Sequence, residues 1–472
     1  MAERYPSENE QHKSGSKPYR QGTMNEILAL SGVAQAALIR NRKISPEELF
    51  RLHLQRIEEI NPAINAIVEV LPPSTPLPGP LSGVPFSIKD SIEVAGTVCS
   101  AGTLGYRNAP KSVRDATLVA RLRAAGAVPI ARTNLPDLLF AFESDNYIYG
   151  RTNNPYDRSR TSGGSSGGEA ALIASCGSPF GLGSDAAGSV RLPAHYCGVA
   201  SLKPTSGRLA RTGHVPSAGG WVETLWQIGP MARHVEDLQA LMPILLGADG
   251  EDHTVIPMPY SNVSVENLRV AYFTNNGFAE PDSETQAVVE EAARAMGAVE
   301  SRPPGIERSY ELEMMFLGAD GGDGVREFLR SIGSDRTHPL LDGWLAKLEE
   351  YRTDLKGFAA YVALIDQFRA SMHAYLTNND VILSPVSTSP ALTHGSSVEE
   401  KSFKGFSYTM TYNLTGWPAA VVRCGTSSTG LPIGVQIAAA PWKEDIVLGV
   451  AKRLEEIFGG WQSPNNLSRS RI

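Results

Sequence analysis

Residues 162–193 read SGGSSGGEAALIASCGSPFGLGSDAAGSVRLP, a crowding of serines and glycines around a short apolar segment that packing alone does not require. Two Gly/Ser-rich turns, Gly163 to Gly168 and Gly183 to Ser189, flank a segment that reads as helical from Gly167 to about Cys176, with Ser166 and Glu169 spaced as a capping box. Glycine permits φ > 0 and close approach of a ligand, so both turns can aim backbone N–H groups and serine hydroxyls at one point. The stretch therefore reads as an active site.

Three general motifs compete for it. A phosphate-binding P-loop needs a lysine after its final glycine, and none follows either turn. Gly181-Leu-Gly183-Ser-Asp-Ala186 fits the loose G-x-G-x-x-A dinucleotide pattern, but it sits mid-chain behind a helix instead of opening a βαβ unit. Gly163-Gly-Ser165-Ser-Gly167 satisfies the G-x-S-x-G nucleophile elbow, which must follow an apolar strand. Residues 154–161, NPYDRSRT, are polar and include Pro155, and beyond residue 350 the histidines available to a triad are His373, inside a helical pattern, and His394. An α/β-hydrolase-type esterase using Ser165 is thus one rival reading, and a binding protein with an inactive site is the other.

A length of 472 residues allows two domains or one large α/β domain. The formal net charge is −7, with acidic and basic residues mixed along the chain, which argues against nucleic-acid binding and against a polybasic membrane patch. No window of 18 or more apolar residues occurs, and the N-terminus lacks the apolar core of a secretion signal. Cys99, Cys176, Cys197 and Cys424 are scattered without C-x-x-C pairing, and His195 and Cys197 read as core residues, so no metal site is expected. These features predict a cytoplasmic protein.

Residues 1–22 are polar and aperiodic and are expected to form a flexible arm. A capping box at Thr23 to Glu26 opens a helix carrying Ile27, Leu30, Ala34 and Leu38, and Ser45-Pro46 opens a second helix that Pro62 is expected to end. Residues 64–70, 84–88, 128–131, 268–273, 381–383, 419–423 and 433–437 read as strands, alternating with helical patterns at 114–125, 235–246, 282–296 and 446–458. That alternation predicts an α/β sandwich from residue 23 to 460. Residues 305–377 are dominated by helical stretches and are expected to cap the active site; residues 461–472 look like a polar tail.

Three blocks make the chain resemble the amidase signature family of serine amidohydrolases: Gly83-Val-Pro-Phe-Ser-Ile-Lys89-Asp90, Gly163-Gly-Ser165-Ser-Gly-Gly168, and Gly183-Ser-Asp185-Ala-Ala-Gly188-Ser189-Val-Arg191-Leu-Pro193. Ser165 and Ser189 stand 24 positions apart, as in the family, and supporting matches run from Arg40 to Glu455. The resemblance implies one α/β domain, with a central twisted mixed sheet between helices and the 305–377 cap as an insertion. It also implies a Ser/cis-Ser/Lys triad: Ser189 as nucleophile, Ser165 behind a cis peptide bond as relay, and Lys89 as base. Backbone N–H groups of Ala186, Ala187, Gly188 and Ser189 would form the oxyanion hole, although Ala187 stands where the commoner family form has glycine.

Spacing alone leaves two readings of Lys89 open, a base or a structural lysine paired with Asp90, and the resemblance favours the base. To be neutral near pH 7–8 a lysine must drop from about 10.4, roughly 4 kcal/mol of differential solvation, which burial at the end of an apolar strand can supply. Asp185 and Arg191 are expected to form a buried pair bracing the loop, and Ser166 to cap the helix. The family's substrate-facing position falls on Leu139, and with Phe140 it should present an apolar wall. Related tRNA-dependent amidotransferase subunits need partner subunits and a tRNA, for which nothing basic is present here. The expectation is a freestanding hydrolase, monomer or homodimer, that needs no cofactor and takes small amides, anilides, esters or carbamates.

Overall fold

Short apolar runs set between helices pair into one sheet of eleven strands: β1 Ile67–Val70, β2 Pro85–Lys89, β3 Val128–Thr133, β4 Phe180–Asp185, β5 Ala200–Lys203, β6 Gln227–Ala232, β7 Val270–Tyr272, β8 Val299–Glu300, β9 Val381–Pro385, β10 Ala419–Thr426 and β11 Pro432–Ala439. The computed structural model describes residues 21–217, 219–260 and 265–464. In space the strands run β1-β3-β2-β4-β6-β5-β10-β11-β9-β7-β8. β2 lies parallel to β3 and β4, the block from β4 to β9 is antiparallel throughout, and β7 lies parallel to β9 and β8. The sheet is therefore mixed, as expected. The dinucleotide-like Gly181–Ala186 run is mostly strand β4 itself, paired antiparallel with β6, and not a turn between a strand and a helix.

Successive side chains of a strand point to opposite faces. Along β10, Ala420 and Val422 enter a core with Leu238 and Leu241 of the helix Val235–Leu245 and Leu454 of the helix Glu444–Phe458. Val421 enters a second core with Ala171 and Ile173 of the helix Gly167–Ala174. Helices thus cover both faces, which makes a single α/β domain. The same alternation in β2 sends Phe86 and Ile88 into the first core and leaves Ser87 and Lys89 facing the helix Gly167–Ala174.

Two helix boundaries differ from expectation. The helix predicted from Thr23 to Leu38 breaks at Leu30 and Ser31 into Gln21–Ala29 and Gly32–Arg40. Its restart is seated on Asp237, whose carboxylate accepts from the N–H groups of Gly32 and Val33 at 2.9 Å each, 205 and 204 residues away in sequence. Pro62 does not end its helix, which runs Pro46–Ile64; a proline two residues from the end removes one N–H and is tolerated, and Asn65 in the left-handed region closes the helix instead. Residues 1–20 and 465–472, which hold nearly all of the expected arm and most of the expected tail, lie outside the described residues. Within the tail, Trp461 donates its indole N–H to Ala174 O at 3.0 Å, so the described start of that segment lies against the domain.

Residues 305–377 form the helices Ser309–Leu317, Asp323–Ser331, Pro339–Glu349 and Leu355–Tyr375. Leu329, Trp344 and Leu348 from this region share a core with Leu138, Phe142 and Ala187, which brings it beside the turn that carries Ser189. All four cysteines are free and buried. His195 accepts from Gly434 N–H at 2.8 Å through Nδ1 and donates from Nε2 to Ser389 O at 3.0 Å, a bridge between chain segments. Among the described residues, no helix is long and apolar enough to cross a membrane.

Candidate active site

Lys89 is the last residue of β2 and is fully buried. Its Nζ lies 2.6 Å from Ser165 Oγ, 3.1 Å from Ser184 Oγ and 3.5 Å from Ser184 O. Burial lowers the Lys89 pKa well below the ordinary lysine value, against the opposing pull of Asp185 and Glu169. The alternative pairing with Asp90 is not made: Asp90 points to the other side, where it meets Arg132 at 2.5 Å and accepts from the Ser100 hydroxyl. Adjacent residues at a strand end diverge, so Asp90 is free to bind Arg132 while Lys89 faces the serines.

The peptide bond Gly164–Ser165 is cis. Gly164 is pressed against backbone, since a Cβ there would meet Ala141 O and Glu143 N at 2.5 Å each. The helix that follows is not capped as its sequence suggests. Ser166 makes no side-chain cap; Gly167 N–H donates instead to the hydroxyl of Ser144 at 3.0 Å, and Ser166 Oγ accepts from Ser184 N–H at 3.3 Å. Glu169 is drawn toward the sheet, accepting from the hydroxyls of Ser87 on β2 and, at 2.7 Å, Thr133 on β3. Its burial pushes the carboxyl up to about 7, against those hydrogen bonds and Lys89. The Ser-x-x-Glu spacing was a tertiary contact in disguise.

Asp185 and Arg191 form the expected buried pair, with Arg191 Nη2 2.9 Å from Asp185 Oδ1 and Nε 3.1 Å from Oδ2. Arg191 also donates to Asn413 Oδ1 at 2.5 Å, Thr409 O at 2.8 Å and Gln436 Oε1 at 2.8 Å, tying the turn to the helix Ser407–Leu414 and to β11. Burial alone would raise the Asp185 pKa, but the Arg191 guanidinium and its hydrogen bonds hold that carboxyl well below the usual carboxylate range. One oxyanion-hole expectation is corrected here. Gly188 N–H donates to Asp185 Oδ1 at 2.9 Å, so it is turned into the brace and away from an oxyanion. Its φ of +124° and its contact with Thr409 require glycine.

Ser189 is 8 % exposed and Ser165 1 %, so of the two hydroxyl residues Ser189 is the one more open to solvent. Both line a cavity of about 320 Å³ together with Ser184, Ala186 and Ala187. Leu139 and Phe140 stand in its wall, as expected, and Trp344, Phe328, Val325 and Leu317 bring the 305–377 region to the same cavity. Phe140 is held edge-on to Trp344, with ring centroids 6.1 Å apart. A further loop, carrying Pro216 behind a cis bond and Trp221, completes the wall. Sequence reasoning missed Ser184 and that loop; Ser184 sits inside the quoted stretch, but nothing in its spacing sets it apart from the six other serines there.

No strand leads into Ser165, the elements between Leu139 and Gly167 being turns and isolated bridges, which removes the nucleophile elbow. His373 is exposed, and His394 bonds to Arg158 O at 3.2 Å. Against known proteins, the amidase family model matches residues 48–448. The chain is 31 % identical to fatty-acid amide hydrolase 2 of Homo sapiens, covering 93 % of this chain and 91 % of that one. It is 32 % identical to the 6-aminohexanoate-cyclic-dimer hydrolase of Pseudomonas sp. (strain NK87), covering 89 % and 93 %. A solved structure of 6-aminohexanoate cyclic dimer hydrolase complexed with substrate superposes with a TM-score of 0.82 at 28 % identity, over 93 % of this chain and 99 % of that one. With the fold, the serine-rich turn and these likenesses in agreement along nearly its whole described length, the chain belongs to the amidase signature family of amide hydrolases.

Proposed function

We propose that the protein hydrolyses small amides through an acyl-enzyme on Ser189, with Ser165 and Lys89 as a proton relay. The observation that carries this reading is the 2.6 Å contact between Lys89 Nζ and Ser165 Oγ, buried where the ammonium form is disfavoured, beside the cavity into which Ser189 opens. Ser189 Oγ attacks the carbonyl carbon, its proton passes to Ser165 Oγ, and the Ser165 proton passes to the neutral Lys89 amine. The oxyanion is met by the N–H groups of Ala186, Ala187 and Ser189, with Gly188 left out. Collapse of the tetrahedral intermediate returns the proton through Ser165 to the departing nitrogen. Water then repeats the sequence on the acyl-enzyme and releases the acid.

The apolar wall made by Leu139, Phe140 and Trp344 supports a preference for an alkyl or aryl group beside the scissile bond. Anilides, esters and carbamates present the same carbonyl to the same nucleophile and belong to the proposed substrate range. Mass spectrometry after treatment with a fluorophosphonate, paired with a panel of p-nitroanilide, primary amide, ester and carbamate substrates, tests the reading. A label on Ser189 and turnover of at least the anilide are expected. A label on Ser165, or no label in folded protein, would overturn the proposal.

A further inference from the structure

We propose that Asp320 makes the cavity select for the charge at the end of the substrate remote from the scissile bond, favouring an ammonium and disfavouring a carboxylate; this rests on the amide-hydrolase reading above. Asp320 is the one charged residue among the described residues that line the cavity. It shares the wall with Leu317, Val325, Phe328 and Leu348, all from the cap, whereas Ser165, Ser184 and Ser189 come from β4 and the turns of the 162–193 stretch. A carboxylate framed by apolar side chains acts through a less screened field than one in open water.

The carboxylate is held in place. Its Oδ1 accepts from Gly322 N–H and its Oδ2 from Gly324 N–H, each at 2.8 Å, at the start of the helix Asp323–Ser331, where the backbone dipoles favour negative charge. The nearby cations are committed elsewhere. Arg352 binds Asp323 at 2.7 Å and Glu349 at 2.6 Å, and Arg326 pairs with Asp323 at 3.3 Å and Glu349 at 3.6 Å. Asp320 has no ion-pair partner among the described residues, so its charge is offset only by backbone N–H dipoles and keeps its sign toward the cavity: a substrate cation is attracted and a substrate anion is repelled. The chemical class is therefore an amide whose apolar chain ends in an amine or in no charge, as opposed to the half-amide of a dicarboxylic acid.

The test is a matched series with chains of five, seven and nine carbons ending in methyl, ammonium or carboxylate, carried on the acyl side of p-nitroanilides and on the nitrogen side of acetamides. In the wild-type protein, kcat/KM for the ammonium-ended member should exceed that for the carboxylate-ended member at least tenfold at the best chain length, and the ratio should shrink with added salt. Asp320→Asn, which keeps an acceptor for one of the two glycine N–H groups, should bring the ratio to within threefold. Calorimetric binding of the corresponding primary amides to Ser189→Ala reads the same order without turnover. Ammonium-over-carboxylate binding with no hydrolysis of any member would keep the charge selection and overturn the hydrolase reading. Turnover or binding with a ratio below threefold in the wild-type protein, or an unchanged ratio in Asp320→Asn, would overturn the role of Asp320.

Discussion

Replacing Arg191 by methionine removes the cation that neutralises Asp185 and the guanidinium donors that tie the Ser189 turn to Asn413, Thr409 and Gln436. In the native protein Arg191 gives two bonds to Asp185 and one each to Asn413, Thr409 and Gln436, every partner buried. Breaking a buried pair by deleting one member typically costs about 3–5 kcal/mol, because the other charge stays out of water. Against a total stability of about 5–15 kcal/mol that loss is large. Urea denaturation followed by tryptophan fluorescence measures it, and the double variant with Asp185→Asn should recover roughly 1–3 kcal/mol of the loss. The pH dependence has a definite sign. Asp185 is held below its ordinary value when folded, so its contribution is present above an unfolded pKa of about 3.9 and is lost as the pH falls toward the depressed one. The gap between wild type and Arg191→Met should thus be widest near neutrality and narrow below about pH 4. A variant within about 1 kcal/mol of wild type at pH 7 would refute the brace.

Gly188→Ala should lose both stability and Ser189 labelling, since φ is +124° and the new methyl would run into Thr409 Oγ1; thermal denaturation and labelling rates check it, and a fully active, equally stable variant would contradict the account. Glu169→Gln removes a carboxyl that burial lifts to about 7. That lifted group favours the fold below an unfolded value of about 4.3 and progressively penalises it as the pH rises toward 7, so the variant should gain stability relative to wild type between pH 5 and 8 in urea titrations. Because the ionised Glu169 supports the Lys89 ammonium, the same variant should move the rise in kcat/KM to lower pH; a shift to higher pH would count against the coupling.

How much of this was legible in the sequence depends on the range of the contacts involved. Ser165 and Ser189 stood out because glycine-rich turns are local features, whereas spacing left Lys89 open between a base and a partner of Asp90, and only the resemblance to the family favoured the base. Part of the sheet was legible as well: β10 and β11 are short apolar runs buried on both faces, whereas β4, β5, β6 and β8, which no expected strand covered, are short or rich in glycine and polar residues. Glu169 was misread because a residue three positions beyond a serine can cap its own helix or reach across to Ser87 and Thr133, and only the packing of β2 and β3 decides which. The break at Ser31 depends on Asp237, far away in sequence, and Gly188 N–H is claimed by Asp185 for reasons of turn geometry that residue type does not reveal. The cap wall is invisible for the same reason: Phe328 and Trp344 look like any amphipathic-helix residues until the fold brings them to Phe140.

The most direct measurement is the rate of Ser189 labelling by a fluorophosphonate from pH 5 to 10 in the wild-type protein and in Lys89→Met. The account requires a wild-type rate that rises with a single ionisation below the ordinary lysine value of about 10.4, and a variant slowed by about 10²–10⁴ with that rise abolished. A folded Lys89→Met protein that is labelled at Ser189 at the wild-type rate, with the same pH profile, would contradict it.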